Sequence, residues 1–170
     1  MSGEDVETAE SEDAPDQREV LEDAREDALD FLEGLLDAME ADGDVAAEIT
    51  SDGAIEASID GGDAGLLIGT RGQTLDAMQE LLRTVVQRQA ETRVRVVLDV
   101  DGYRARRREA VLRQTEEMLR VAREDGESEL EPMSAYERKL VHQAIAEIDG
   151  FSSFSEGQDP RRRVRIKRDP

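Results

Sequence analysis

Gly65-Leu66-Leu67-Ile68-Gly69-Thr70-Arg71-Gly72 is the stretch that decides the fold: a short apolar run ending in an Ile-Gly-x-x-Gly loop with one arginine inside it. Two glycines three apart let the main chain approach a sugar-phosphate backbone without interference from a Cβ, and Arg71 places a cation at the contact. Ala64 to Ile68 reads as a short helix. From Gln73 onward, Leu75, Met78, Leu81, Leu82, Val85 and Val86 give a second, longer helix one apolar face. A loop between two helices with this content points to a nucleic-acid clamp. A tight interhelical turn with no ligand would use the same glycines, but Leu67, Ile68 and Arg71 around them favour the clamp. A Walker A loop is excluded by the missing Lys-Ser/Thr, and a dinucleotide fingerprint by the missing first strand and Gly-x-Gly.

Working outward, Val20, Leu21, Ala24, Ala28, Phe31, Leu32, Leu35, Leu36 and Met39 recur at helical spacing, which predicts an amphipathic helix from Arg18 to about Ala41, stopped at Gly43. Val45 to Ile49 and Ala54 to Ile59, joined by Ser51-Asp52-Gly53, read as a two-stranded hairpin. On the far side of the loop, Arg93 to Val100 alternates Val94, Val96 and Leu98 with polar residues and reads as a strand. The order is α-β-β-α-α-β. A long Arg-rich helix is predicted from Tyr103 to Arg123, connecting this module to a second. That second module has a short strand over Ser128 to Met133 and a helix opened by the capping box Ser134-Ala135-Tyr136-Glu137. Strands over Phe151 to Ser155 and Arg163 to Lys167 flank the turn Glu156 to Pro160.

Composition sets the classes of function that remain. The 170 residues suffice for two small domains, and with 38% hydrophobic but 3% aromatic residues and no Trp the cores must be aliphatic. No cysteine is present, which removes disulfides, thiol catalysis and Cys-ligated zinc, and a single His cannot build a His-rich metal site. Neither a signal peptide nor an apolar run of about 18 residues is visible, so a cytoplasmic protein is expected. The formal net charge is −20, yet residues 1 to 44 hold 18 Asp or Glu against 2 Arg, leaving a net −4 for the rest of the chain. Residues 1–16 read as an acidic disordered tail. Bases cluster at Arg104 to Arg108 and Arg161 to Arg168, and local patches govern phosphate attraction more than net charge does.

A Gly-x-x-Gly loop between two helices, after a hairpin and before a strand, resembles the type II KH domain over about Arg18 to Val100. The resemblance implies a groove that clamps single-stranded nucleic acid with Ile68, Gly69, Thr70, Arg71, Gly72 and Gln73. Downstream, Arg138 and His142 are four apart and share one helix face, beside the basic segment Arg161, Arg162, Arg163 and Arg165. With Glu131-Pro132-Met133-Ser134 and Ser155-Glu156-Gly157, this spacing is similar to the small single-strand-binding domain named for its Arg-x-x-x-His signature. The two modules in this order resemble the bacterial Jag (KhpB) family of RNA-binding proteins, a match strengthened by Leu98 to Arg104 and Tyr136-Glu137-Arg138.

The fold expected is therefore α+β: a tail over 1–16, a KH-like domain over 17–100, a connecting helix over 101–126 and an Arg-x-x-x-His domain over 127–168. The resemblance implies binding of single-stranded RNA, with single-stranded DNA as the alternative, and a regulatory or RNA-chaperone role tied to the cell envelope and division. It also implies pairing with a small KH protein or a second copy, and association with a membrane-protein insertase. A further N-terminal domain is common in that family; in this sequence an acidic stretch stands there, and the role of that domain is not expected here. No cofactor, metal, small-molecule substrate or catalysis is expected, because His142 has no sequence-evident nucleophile and the carboxylates sit on charge-mixed helices. A protein-interaction adaptor with secondary RNA binding is the competing reading, and masking of the basic C-terminus is a further role considered for the acidic tail.

Overall fold

The computed structural model describes residues 17–90 and 93–170. The acidic tail expected at residues 1–16 lies outside the described residues. The chain forms two compact units, one comprising residues up to Leu67 with Thr74–Asp99, the other Ile68–Gln73 with Val100–Pro170. Each unit carries one three-stranded sheet, so the α+β class holds.

In the first unit, α1 (Gln17–Met39) buries Ala24, Ala28, Leu32 and Leu36, a four-residue repeat that lays one stripe against the sheet. β1 (Asp44–Ile49) and β2 (Ala54–Asp60) form the expected antiparallel hairpin, with Val45 opposite Ile59 and Ile49 opposite Ile55. Thr50 closes its turn: Ala54 N–H donates to Thr50 Oγ1 at 3.0 Å and Gly53 N–H to the Thr50 carbonyl at 3.0 Å. α2 (Ala64–Ile68) leads to a single 3-10 turn (Thr70–Gly72) and then to α3 (Gln73–Gln89). Leu75, Met78, Leu82 and Val86 of α3 are buried, as are Val96 and Leu98 of β3 (Arg95–Val100).

β2 is the central strand, which leaves β3 at one edge of the sheet. Gln79 of α3 covers that edge: its amide Nε2 donates to the Val96 carbonyl at 3.0 Å, and its Oε1 accepts from Leu98 N–H at 2.7 Å. One side chain thereby takes the place of a neighbouring strand's peptide group.

In the second unit, α4 (Tyr103–Asp125) is not a bare connector. Val111, Leu119 and Ala122 on one face enter the same core as Leu130, Met133, Val141, Ile145, Val164 and Ile166. Gly126 ends the helix in the left-handed region at φ 90°. β4 is shorter than expected, Glu127–Glu129. Leu130 N–H and Met133 N–H still donate to the Val164 and Arg162 carbonyls at 2.9 and 3.1 Å, but Pro132 between them has no N–H to continue a ladder. α5 (Ala135–Ala146) carries both halves of the capping box, Glu137 N–H to Ser134 Oγ at 3.3 Å and Ser134 N–H to Glu137 Oε2 at 2.7 Å. β5 (Phe151–Glu156) and β6 (Arg163–Arg168) pair antiparallel, and the strand order is β4-β6-β5.

Candidate nucleic-acid interface

The Gly69–Gly72 turn is a run of unusual backbone. Gly69 sits at φ 68°, ψ −173°, a region reserved for glycine, and Arg71 at φ 56°, ψ 29° is left-handed without being glycine. Gly72 is left-handed as well, at φ 80°. A Cβ on Gly72 would lie 2.7 Å from Tyr103 Cε1, so the missing side chain makes room for this ring. Gly72 is buried against this ring, whereas Gly69 is half-buried. What the turn presents to solvent is Thr70, Arg71 and Gln73, while Ile68 and Gly69 are half-buried. Arg71 faces Glu131 at 3.6 Å; both side chains are well exposed, so the pair contributes at most about 1 kcal/mol and is readily exchanged for a phosphate.

The second constellation lies between α5 and β5. Arg138 is buried, and its Nη1 donates to the Met133 carbonyl at 2.8 Å and to Asp159 Oδ1 at 2.9 Å. One turn on, both nitrogens of the His142 ring are engaged: Nδ1 is 2.7 Å from Ser153 Oγ and Nε2 is 2.9 Å from Ser155 Oγ. In the neutral ring one nitrogen donates and the other accepts, and the hydroxyls rotate to suit. A nucleophile-base-carboxylate chain is not formed, since the far nitrogen meets a second serine. Beneath them, Glu137 is buried and accepts from Arg107 Nε at 2.6 Å, fixing the start of α5 to α4.

Two adjoining concavities of about 580 and 430 Å³ share His142, Ala146, Ser155 and Arg162. Among the described residues their charged lining is Arg138, Lys139 and Arg162, with no carboxylate. The Nε of Arg162 is buried and has no hydrogen-bond partner among the described residues. Burial, and then the neighbouring Arg138 guanidinium, hold the His142 pKa below the ordinary imidazole value. From the unfolded value of about 6.5 down to the lower folded value, the unfolded chain binds more protons, so stability falls as pH drops through that window. The expected result is that wild type loses more unfolding midpoint than His142→Phe on acidification from neutral pH; parallel losses would contradict it.

The basic segment is split by strand alternation. Val164 and Ile166 of β6 enter the core, so Arg163 and Arg165 point to the opposite face of the sheet from α5. There Arg163 pairs with Glu129 at 2.9 Å, and Arg165 with Glu129 at 3.5 Å and Glu156 at 3.3 Å. Arg161 is exposed in the preceding turn. Of these four arginines, Arg162 alone lines the His142 concavities, so the structure does not bring the segment together as one surface. Sequence reading gave no site role to Ser153, Ser155, Asp159, Tyr103 or Glu131. The serine pair left a faint signal, since residues two apart in a strand share a face.

No group of three or more His, Cys, Asp or Glu among the described residues is placed to hold a metal, and no helix of theirs is long and apolar enough to cross a membrane. Residues 25–98 match the KH domain of KhpA and KhpB, and residues 109–168 match the domain family named for its Arg-x-x-x-His signature. The fold and the surface around Arg138 and His142 thus define a protein with a KH domain and an Arg-x-x-x-His domain in tandem. Over 152 residues the chain is 36% identical to the RNA-binding protein KhpB of Clostridium symbiosum, covering 88% of this chain and 67% of that protein. It is 42% identical over 101 residues to the protein of the same name from Lactiplantibacillus plantarum, covering 59% and 31%, and 29% identical over 120 residues to that of Bacillus subtilis, covering 68% and 56%. The chain belongs to the KhpB family.

Proposed function

We propose that this chain binds single-stranded RNA without transforming it, as a post-transcriptional regulator or RNA chaperone in the cytoplasm. The observation that carries this reading is the His142 groove: in a chain of net charge −20, its charged lining among the described residues is three cations and no carboxylate. Phosphates in an extended strand suit such a lining, and the exposed Arg71 on the Gly-x-x-Gly turn offers another contact. The name carried by the three relatives, RNA-binding protein KhpB, supports the same ligand. Ile68, Gly69, Thr70, Arg71, Gly72 and Gln73 remain the proposed loop contacts, and Arg138, His142 and Arg162 the proposed groove. Arg161, Arg163 and Arg165 belong to this proposal as weaker, peripheral contacts. The shared KhpA and KhpB domain match supports pairing with a small KH protein or a second copy, and insertase and cell-envelope roles remain part of the proposal.

The test is fluorescence anisotropy of the intact chain with a labelled short single-stranded RNA across a salt series. Arg71→Ala and Arg162→Ala each remove one phosphate contact, so each flattens the log K against log salt slope by about 0.7. Slopes and affinities unchanged by both substitutions would overturn the assignment.

A further inference from the structure

The imidazole of His142 is fixed in an orientation that decides what it offers a ligand. Its two nitrogens flank Cε1 on one edge of the ring, and both are taken by hydroxyls of β5, at 2.7 and 2.9 Å. Ser153 and Ser155 are two apart on the strand, so they stand on the same face and receive that edge side by side. The opposite edge carries Cβ and points back to α5. This half-buried ring, with both nitrogens engaged, lines both concavities.

Resting on the RNA-binding reading above, we infer that His142 holds a nucleobase against the face of its ring, not a phosphate against a ring nitrogen, and that Ser153 and Ser155 are the residues that position the ring. A phosphate needs an N–H free to bind it, and both ring nitrogens are already engaged by the Ser153 and Ser155 hydroxyls. The groove already supplies cations for phosphate in Arg162 and Lys139, while Arg138 contributes charge from beneath. Among the described residues these three are the charged groups lining the groove, on α5 and ahead of β6; Asp159 is bonded to Arg138. Burial and Arg138 both favour the neutral ring, which stacks without carrying a charge of its own. Phe151 and Phe154 line the same concavity, Phe154 well exposed, so the imidazole face joins ring surfaces on which bases can lie. Every base has a π face, so this contact tolerates any sequence.

The experiment compares the intact chain with His142→Ala, His142→Phe and His142→Gln, each confirmed folded by its thermal midpoint. Two probes are used: a short mixed-sequence single-stranded RNA, and an abasic ribose-phosphate oligomer of the same length. His142→Ala weakens RNA binding roughly tenfold, the scale of one base-aromatic stack, and leaves abasic binding unchanged. His142→Phe keeps a ring face but loses both serine anchors, so it retains part of the RNA affinity that His142→Ala loses, whereas His142→Gln, which can hydrogen-bond but not stack as a ring, falls with His142→Ala. Should His142→Phe not fold, Ser153→Ala with Ser155→Ala supplies the second variant: the ring stays but loses its anchors, and RNA affinity drops while abasic affinity does not. Rescue by Gln and failure of Phe, or equal losses on both probes, would overturn the stacking role while leaving RNA binding intact. Wild type that retains neither probe would overturn the RNA-binding reading itself, and the stacking role with it.

Discussion

Replacing Glu137 by Ala is expected to destabilise the second unit by about 3 kcal/mol, at the lower end of what breaking a buried ion pair costs. The carboxylate is 6% exposed and does two things at once. One oxygen accepts from Arg107 Nε at 2.6 Å, and the other accepts from the Ser134 backbone N–H at 2.7 Å. Truncation leaves the guanidinium of Arg107, itself 29% exposed, without its partner, and leaves a helix-cap N–H unbonded. The residual exposure of Arg107 lets water recover part of the loss, which places the figure low in the range. Glu137→Gln keeps an acceptor for Ser134 and loses the charge, so it falls between. Urea denaturation with a fixed m-value reads the difference directly. A Glu137→Ala midpoint close to wild type would mean that the pair contributes nothing and that α5 is held to α4 by its apolar face alone.

Gly72→Ala is expected to cost about 2 to 4 kcal/mol. Roughly 1 to 2 comes from forcing an L-residue to hold φ near 80°, and a similar amount from the Cβ, which would sit 2.7 Å from the Tyr103 ring. The two parts separate in a double-mutant cycle. Tyr103→Ala removes the overlap and leaves the dihedral strain, so Gly72→Ala in that background should cost about half as much. Equal costs in both backgrounds would show that the ring moves aside freely. For RNA work the consequence is practical: a bulky substitution at Gly72 reports on packing as well as on ligand contact, whereas Arg71 and Thr70, both exposed, report on contact.

The parts of this molecule that are legible in the sequence are those set by neighbours along the chain. The turn at Gly69 to Gly72, the hairpin at Thr50 to Ala54 and the capping box at Ser134 and Glu137 are local devices, and each lies where its residues placed it. The role of α4 is harder to see. Val111 and Leu119 are visible as an apolar face, but nothing in the helix states that its core partners are Val141 and Val164. The Ser153 and Ser155 contacts to His142 span 11 and 13 residues, and depend on how α5 lies over the sheet. The basic run at 161 to 165 misleads for a different reason. It reads as one patch along the chain, although Arg161 and Arg162 precede β6 while Arg163 and Arg165 lie within it on the face opposite the buried Val164 and Ile166.

Gln79 closes one flank of the first sheet with a single amide. The remaining open flank is β1, where Asp44 and Glu48 stand exposed at intervals along the strand. Two molecules meeting there edge to edge would bring acid against acid, and like charges across a strand pair repel. The sheet is thus defended against runaway stacking by a plug on one border and electrostatic refusal on the other.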